Sequence, residues 1–452
     1  MNAIPTFDKR PLPHRGSAFD LAAPLRFLAL TALGATVLSG LPGEALAAEK
    51  AKIDTGDTAW MLTATAIVLL MTIPGLALFY GGMVRKKNVL TMVMQVFATA
   101  CIATIVWFAV GYSIAFGGEG PYWGGLSKAF LNGVGKDAVE GTIPETVFMT
   151  FQMTFAIITP ALIVGAFADR VKFSALIVFV TLWLIVVYAP ITHWVWGGKG
   201  WILELGALDF AGGTVVHINS GVAGLVAAII IGKRVGFGRE DMAPHNLVLS
   251  LVGAALLWVG WFGFNAGSAL GAGASAGMAM AVTQIASAAG AMSWLTVEWL
   301  QRGKPTVLGI ISGAIAGLVA ITPASGFVDP KGALFIGLIA GVVCYWAATS
   351  LKRKFGYDDA LDVFGIHGVG GIVGAVLTGV FAVKAIGGTA GALEGNASQI
   401  LTQVYSILGT IIWSGAVTAL LLILIKSTIG LRVSEEEERD SLDQRLHGEA
   451  VH

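Results

Sequence analysis

Eleven stretches of this chain stay apolar for about the length a helix needs to cross a lipid bilayer, and each closes on a polar or charged turn. They cover 60–80, 89–116, 147–168, 173–193, 208–231, 247–266, 278–300, 307–322, 333–350, 361–382 and 400–425. A helix rises about 1.5 Å per residue, so about 20 residues match a hydrocarbon core of roughly 30 Å. No water reaches that core, so each backbone amide and carbonyl needs a partner within the protein, which a helix supplies internally. Composition agrees: 56% of the residues are hydrophobic and 12% charged, the latter about half of what a soluble domain carries. The expected fold is an all-α polytopic membrane protein with eleven transmembrane helices. Its 60 glycines allow the close backbone approach on which bundles in lipid depend. The shortest stretch, 307–322, carries Gly309, Gly313 and Gly317 as such a face.

The amino-terminal region reads differently. Lys9, Arg10, Arg15 and Arg26 precede a short apolar run, 27–38, and Ala45, Leu46 and Ala47 follow Pro42 and Gly43. This is the form of a secretory signal with its cleavage site, so residues 1–47 are expected to be removed and the mature chain to start outside the cytoplasm. The alternative is a first membrane helix that stays attached. Alternate connections hold Arg85, Lys86, Lys87, Arg170, Lys172, Lys233, Arg234, Arg239, Arg302, Lys304, Lys352, Arg353 and Lys354. The opposite face holds Lys128, Lys136, Lys199, Lys331 and Lys384. By the positive-inside rule, the richer face and the carboxyl tail are expected in the cytoplasm.

Two histidines stand within the apolar stretches, His217 in the fifth and His367 in the tenth, each eight residues after an aspartate, Asp209 or Asp359. An ionisable side chain in hydrocarbon is costly, and marks a substrate path or a tie between helices. The fifth helix runs inward and the tenth outward, so both histidines reach mid-membrane from opposite sides. An inverted five-helix repeat plus a final helix gives that placement. Gly221, Gly224, Gly368, Gly370, Gly371 and Gly374 flank the pair and leave room for only a narrow lumen. A simple ion needs a replacement for its hydration shell, and the sequence has neither a filter-like repeat nor an acidic ring. Two neutral imidazoles each offer a donor and an acceptor, which suits a small neutral molecule such as ammonia or water. Alone they are an incomplete zinc site. Asp209, Asp359 and Asp362 lie near helix starts, where a carboxylate caps free amides; Asp209 has the alternative of attracting a cation from outside.

Aromatic residues gather at 148–155, with Phe148, Phe151 and Phe155, and at 258–268, with Trp258, Trp261, Phe262 and Phe264 before Ser268. With Trp196 they are either belt and core residues or a cup that holds a small cation on its ring faces, oriented by a hydroxyl. Cys101 and Cys344 fall in apolar stretches and are expected to pack there, with no disulfide or metal cluster. Nucleophile elbow, phosphate loop, zinc triad and cofactor fingerprint are all missing from the sequence, so neither an enzyme nor a cofactor is expected. A formal net charge of zero without a basic tract gives nucleic acid no footing as a partner.

MTIPGLALFYGGMVRKKNVL at 71–90, GALDFAGGTVVHIN at 206–219, IGKRVGFG at 231–238, GWFGFNAGS at 260–268, RGKPTVLG at 302–309 and DVFGIHGVGGIVG at 362–374 together closely resemble the ammonium transporter (Amt) family, of the bacterial ammonium channel type. The resemblance covers 57–448. It implies a homotrimer of eleven-helix subunits in a bacterial inner membrane, with one pore per subunit, ammonium as substrate, and His217 and His367 as the pore pair. Carried over by position, it implies that Phe155, Trp196 and Ser268 recruit ammonium at the outer face, with Phe151 at the rim. It further implies that Phe155 and Phe264 close the entrance as a gate and that Asp209 supports recruitment and deprotonation. The membrane domain would span 57–425 and a cytoplasmic regulatory tail 426–452, with a PII-type regulatory protein as the implied partner. The tail, acidic at 435–438, is expected as a solvated segment; at Ser441 it departs from relatives that often have glycine. The implied mechanism holds NH4+ at the cup and conducts ammonia past the histidines, because an intact cation would lose its hydration in the centre. The alternative is an ammonium sensor that signals through a partner. Conduction of carbon dioxide or water gives the aromatic cup no purpose.

Overall fold

The computed structural model describes residues 52–451, and the expected signal at 1–47 lies outside them. Eleven apolar helices follow in order: α1 (Thr55–Met83), α2 (Lys86–Phe116), α3 (Glu145–Phe167), α4 (Phe173–Glu204), α5 (Gly213–Ile231), α6 (Leu247–Gly267), α7 (Ala274–Arg302), α8 (Val307–Ile321), α9 (Pro330–Phe355), α10 (Phe364–Phe381) and α11 (Ser398–Thr428). Ten of them are long and apolar enough to cross a membrane, and α8, with 15 residues, is shorter. A short antiparallel ribbon of β1 (Val139–Glu140) and β2 (Ile143–Pro144) precedes α3, too small to alter the all-α, polytopic character.

Helices α5 and α10 begin later than hydropathy alone suggests, and for the same reason. Ahead of α5, the Asp209 carboxylate accepts from the amides of Gly212, Gly213 and Thr214 at 2.8, 2.6 and 2.8 Å. Gly212 at φ 114° turns the chain into the helix, a conformation that favours glycine. Ahead of α10, Asp359 Oδ2 accepts from the amide of Phe364 at 2.7 Å. Each aspartate therefore caps the amide five residues on, and each histidine follows three residues later, within an opening π-helical turn, Gly213–Ile218 or Phe364–Gly368. The eight-residue spacing is one capping arrangement used twice.

Glycines set how closely the helices meet. A Cβ on Gly221 of α5 would lie 2.2 Å from the amide nitrogen of Gly368 in α10, so the two histidine-bearing helices touch backbone to backbone. One on Gly317 of α8 would lie 2.2 Å, and one on Gly337 of α9 2.3 Å, from the carbonyl oxygen of Ala286 in α7. The glycine face expected on α8 is thus seated on α7. Helix α11 straps the start of α5: Gln403 accepts from the Leu208 amide at 2.7 Å and donates to its carbonyl at 2.7 Å. Cys344 is buried, but Cys101 is exposed on the outside of α2 and does not pack as expected, because an apolar stretch does not disclose which of its faces meets lipid.

The basic connections and the carboxyl tail share one face. Asp169 bonds Arg85 at 3.0 Å and Asn88 at 2.6 Å, and Arg234 grips Asp358 at 2.8 and 3.0 Å. Glu435 and Glu436 of the tail are exposed, as its charge suggests, but two of its acidic side chains are buried. Glu438 is 1% exposed, pairs with Arg432 at 2.6 Å and accepts from the Val235 amide at 2.6 Å. Asp443, also 1% exposed, caps α2 by accepting from Leu90 and Thr91 at 3.0 and 2.7 Å. Acidic side chains with free amides and guanidinium groups within reach are bonded rather than solvated.

On this face Asp359 is wholly buried and its Oδ1 has no partner. Burial, opposed by Lys352 and aided by Asp362, pushes its carboxyl up from 3.8 to about 6. A raised folded value means that the stability its neutral form provides is complete below about pH 4 and lost as pH rises through about 6. Asp359→Asn, which keeps the acceptor for Phe364, is expected to match the unmodified protein near pH 4 and to exceed it above pH 6 by on the order of 3 kcal/mol. Thermal melting in detergent across that range measures the divergence. In the same assay, Gly221→Ala is expected to lower stability by about 1–3 kcal/mol through overpacking. Gly415→Ala, whose Cβ would meet Val222 at an ordinary 3.5 Å, should not.

Candidate functional site

A cup of about 410 Å³ opens between the ends of α3, α4 and α6 on the face opposite the tail, lined by Phe148, Gln152, Trp196, Phe210, Ser268 and Lys128 among others. Helical spacing brings Phe148, Gln152 and Phe155 of α3 onto one side. Trp196, near the end of the main run of α4, donates its indole N–H to the carbonyl of Asp209 at 2.8 Å. That bond leaves its ring face for the cup. Ser268 donates to the carbonyl of Phe264 at 2.8 Å; with its hydrogen committed, the hydroxyl oxygen remains an acceptor. An aromatic face with an outward acceptor suits a small cation carrying N–H groups.

Beneath the cup the rings form a column. Phe155 meets Trp196 edge-on at 5.7 Å and lies against Phe264 at 4.3 Å with 31° between planes. Both phenylalanines are at most 1% exposed, so the pair lies buried behind Trp196, which is on the cup's lining. Phe264 stacks at 5.9 Å on His217, which stacks at 5.3 Å on His367. Trp261 also stacks on His217, at 5.5 Å with 25° between planes. The space beside the histidines, walled by Leu76, Ile158, Leu162, Leu257 and Ile315, amounts to about 10 Å³, room for about one water-sized molecule.

Hydrogen bonds assign the tautomers of the pair. The Thr322 hydroxyl donates to the carbonyl of Leu318 at 2.7 Å and accepts from the indole of Trp261 at 2.9 Å. Its contact with His217 Nε2 at 3.2 Å must then be an N–H from the imidazole, because the hydroxyl hydrogen is taken. His217 Nδ1 is left as a lone pair, and across the 3.3 Å between the two Nδ1 atoms His367 must donate. The remaining lone pair of the pair is on His367 Nε2. Thr322 thus sets the polarity of both rings.

Residues expected at the site fall into three positions. Trp196 and Ser268 line the cup; Phe155, Phe264, His217 and His367 form the column below it. Phe151 and Asp209 back the site from behind. Phe151, expected at the rim, is wholly buried and touches Phe155 at 5.0 Å. The carboxylate of Asp209 is turned to the start of α5, where it also accepts from the Thr214 hydroxyl, and it reaches the cup only through the carbonyl that holds Trp196. Thr322, Phe210 and Lys128 went unremarked as site residues. A threonine ending a glycine-rich helix carries no signal of its own, and the lysine is separated from the cup by a loop. Among the described residues, no three His, Cys, Asp or Glu side chains gather as a metal would require.

Residues 59–452 match the sequence model of the Ammonium Transporter Family. The chain is 53% identical over 410 residues to the "Ammonium transporter" of Aquifex aeolicus, covering 90% of this chain and 95% of that protein. Its fold is similar to the crystal structure of Saccharomyces cerevisiae Mep2, with TM-score 0.79, 36% identity, and coverage of 85% of this chain and 92% of that one. It is also similar to a structure described as "Sensor Amt Protein", with TM-score 0.82, 30% identity, and coverage of 88% and 98%. With a family match across most of its length and a relative this close, the chain belongs to the ammonium transporter family.

Proposed function

We propose that this protein moves ammonium across a membrane, holding NH4+ at the outer cup and passing ammonia down the ring column to the histidine pair. The observation that carries this reading is the unbroken series Trp196, Phe155, Phe264, His217 and His367, which starts at an open cup and ends beside a one-molecule cavity. The name of the Aquifex aeolicus relative supports it. Ring faces and the Ser268 oxygen stabilise the cation outside. Past Phe155 and Phe264 the apolar walls offer nothing in place of its hydration, so the ion gives its proton to water in the cup and enters the gate as ammonia. Neutral ammonia can then donate an N–H to the one imidazole nitrogen left free, His367 Nε2. Phe151 and Asp209 act from behind, one supporting the gate and the other holding Trp196 in place.

The same reading counts eleven spans, with α1–α5 repeated in inverted form as α6–α10 and α11 added. The twice-used aspartate cap and the shared position of the histidines support this repeat. The basic connections favour a cytoplasmic tail and an outer amino end for a mature chain lacking residues 1–47, in a bacterial inner membrane. We include in the proposal a homotrimer, and a PII-type regulatory protein meeting the tail face. A second reading, an ammonium sensor, draws on the likeness to the structure described as a sensor.

Purified protein in liposomes is expected to give saturable ammonium and methylammonium uptake with no potassium uptake, and current recorded beside uptake counts the charge moved per ammonia. His217→Leu and His367→Leu should melt like the unmodified protein yet lose flux or ammonium selectivity. Uptake and current unchanged in both would sink the transport route. Thr322→Val, which removes the acceptor for His217, is expected to cut flux about tenfold, and Thr322→Ser to retain it.

A further inference from the structure

We propose that Lys128 is a selectivity residue of the outer cup: by neutralising the buried carboxylate of Glu145 it keeps metal cations from competing with ammonium. The proposal rests on the transport reading above.

Glu145 opens α3 and is 7% exposed. Phe148, Gln152 and Phe155 follow it by three, seven and ten residues, so the carboxylate heads the stripe that leads to the gate, about 15 Å above Phe155 along the helix. Two of the residues between them, Phe148 and Gln152, line the cup, as does Lys128. The carboxylate accepts from the Tyr112 hydroxyl at 2.7 Å and from Lys128 Nζ at 2.5 Å. The lysine ammonium also lies 5.6 Å from the centre of the Tyr112 ring, and its backbone amide is held by Ser113 Oγ at 2.9 Å. A tethered ammonium group is thus already bound by a carboxylate and an aromatic face at the wall of a cup for free ammonium.

Charge explains why the tether matters. Without Lys128, the desolvated carboxylate behind the wall would give any small cation a second resting position beside the cup, and a potassium ion held there would repel ammonium from the ring faces. Cancelled by Lys128, the carboxylate leaves ring faces and the Ser268 acceptor to choose, and a hydroxyl oxygen rewards the ion that carries N–H groups. Glu145 is reached from the cup through Lys128, which is on the lining, whereas Glu140, the carboxylate on the lining itself, is exposed and therefore screened by solvent and salt.

The test is methylammonium uptake by the full chain in proteoliposomes, with potassium titrated as inhibitor. Lys128→Met is expected to lower the potassium inhibition constant roughly threefold to sixfold, the effect of an uncancelled charge about 15 Å from the ring column at an effective dielectric of about 20. Lys128→Arg should leave that constant unchanged, and the Lys128→Met/Glu145→Gln double variant should restore it. A constant unchanged in Lys128→Met, or a shift persisting in the double variant, overturns the proposal. Glu145→Gln provides an independent arm: it leaves the lysine charge unpaired beside the cup and should raise the KM for methylammonium, whereas an unchanged KM counts against the role. A purely structural pair would lower maximal rates without a potassium-specific change. Absence of saturable uptake by the unmodified protein would strike the transport reading instead.

Discussion

The backbones of α5 and α10 touch at Gly221 and Gly368, and the rest of the site depends on that contact. Two helices that each carry a histidine can bring the rings to 5.3 Å only if nothing larger than hydrogen separates the chains beside them. In lipid, where apolar side chains gain little from leaving their surroundings, such close approach is a main source of helix association. The aspartate caps complement it, since each helix can begin inside the bundle only when its first amides have acceptors. Asp209 meets that need completely; Asp359 meets it with one oxygen and leaves the other unbonded.

From this frame the site follows by successive commitments of hydrogen bonds. The indole N–H of Trp196 is held by a carbonyl, so its ring is what the cup presents. The hydroxyl hydrogen of Ser268 is held by Phe264, so its oxygen is what remains. Thr322 spends its hydrogen on Leu318, and that choice passes through His217 to His367. A polar group in a dry lane is defined by the valence its neighbours leave free. Lys128 and Glu145 extend the same logic to charge, one cancelling the other where a net charge would blur the choice of ion.

Much of this was legible along the chain. The helices were, because lipid demands long apolar runs, and so was the special standing of His217 and His367, because a titratable group is conspicuous there. The starts of α5 and α10 were displaced by caps that hydropathy does not register. Sequence places Phe151 one turn from Phe155 without telling which side of α3 faces the cup, and only the fold shows its ring buried against Phe155. Glu438 ends an acidic run and Asp443 lies in the polar tail beyond it, where both read as solvated; only the proximity of Arg432, Val235 and the start of α2 makes them buried acceptors. Cys101 shows the converse, an apolar neighbourhood turned out toward the surroundings.

Hydropathy, capping and glycine spacing act between residues close in sequence, so the sequence by itself determined the long apolar helices, the placement of a histidine in each of two of them and the repeated spacing from their aspartates. Tertiary structure alone decided which rings stack, which nitrogen of each histidine carries the proton and which lysine answers the buried glutamate. Those outcomes depend on contacts between separate helices and loops. His217 and His367 are 150 residues apart and His217 and Thr322 are 105, distances at which no local rule of chain conformation operates and only the meeting of glycine backbones brings the side chains together.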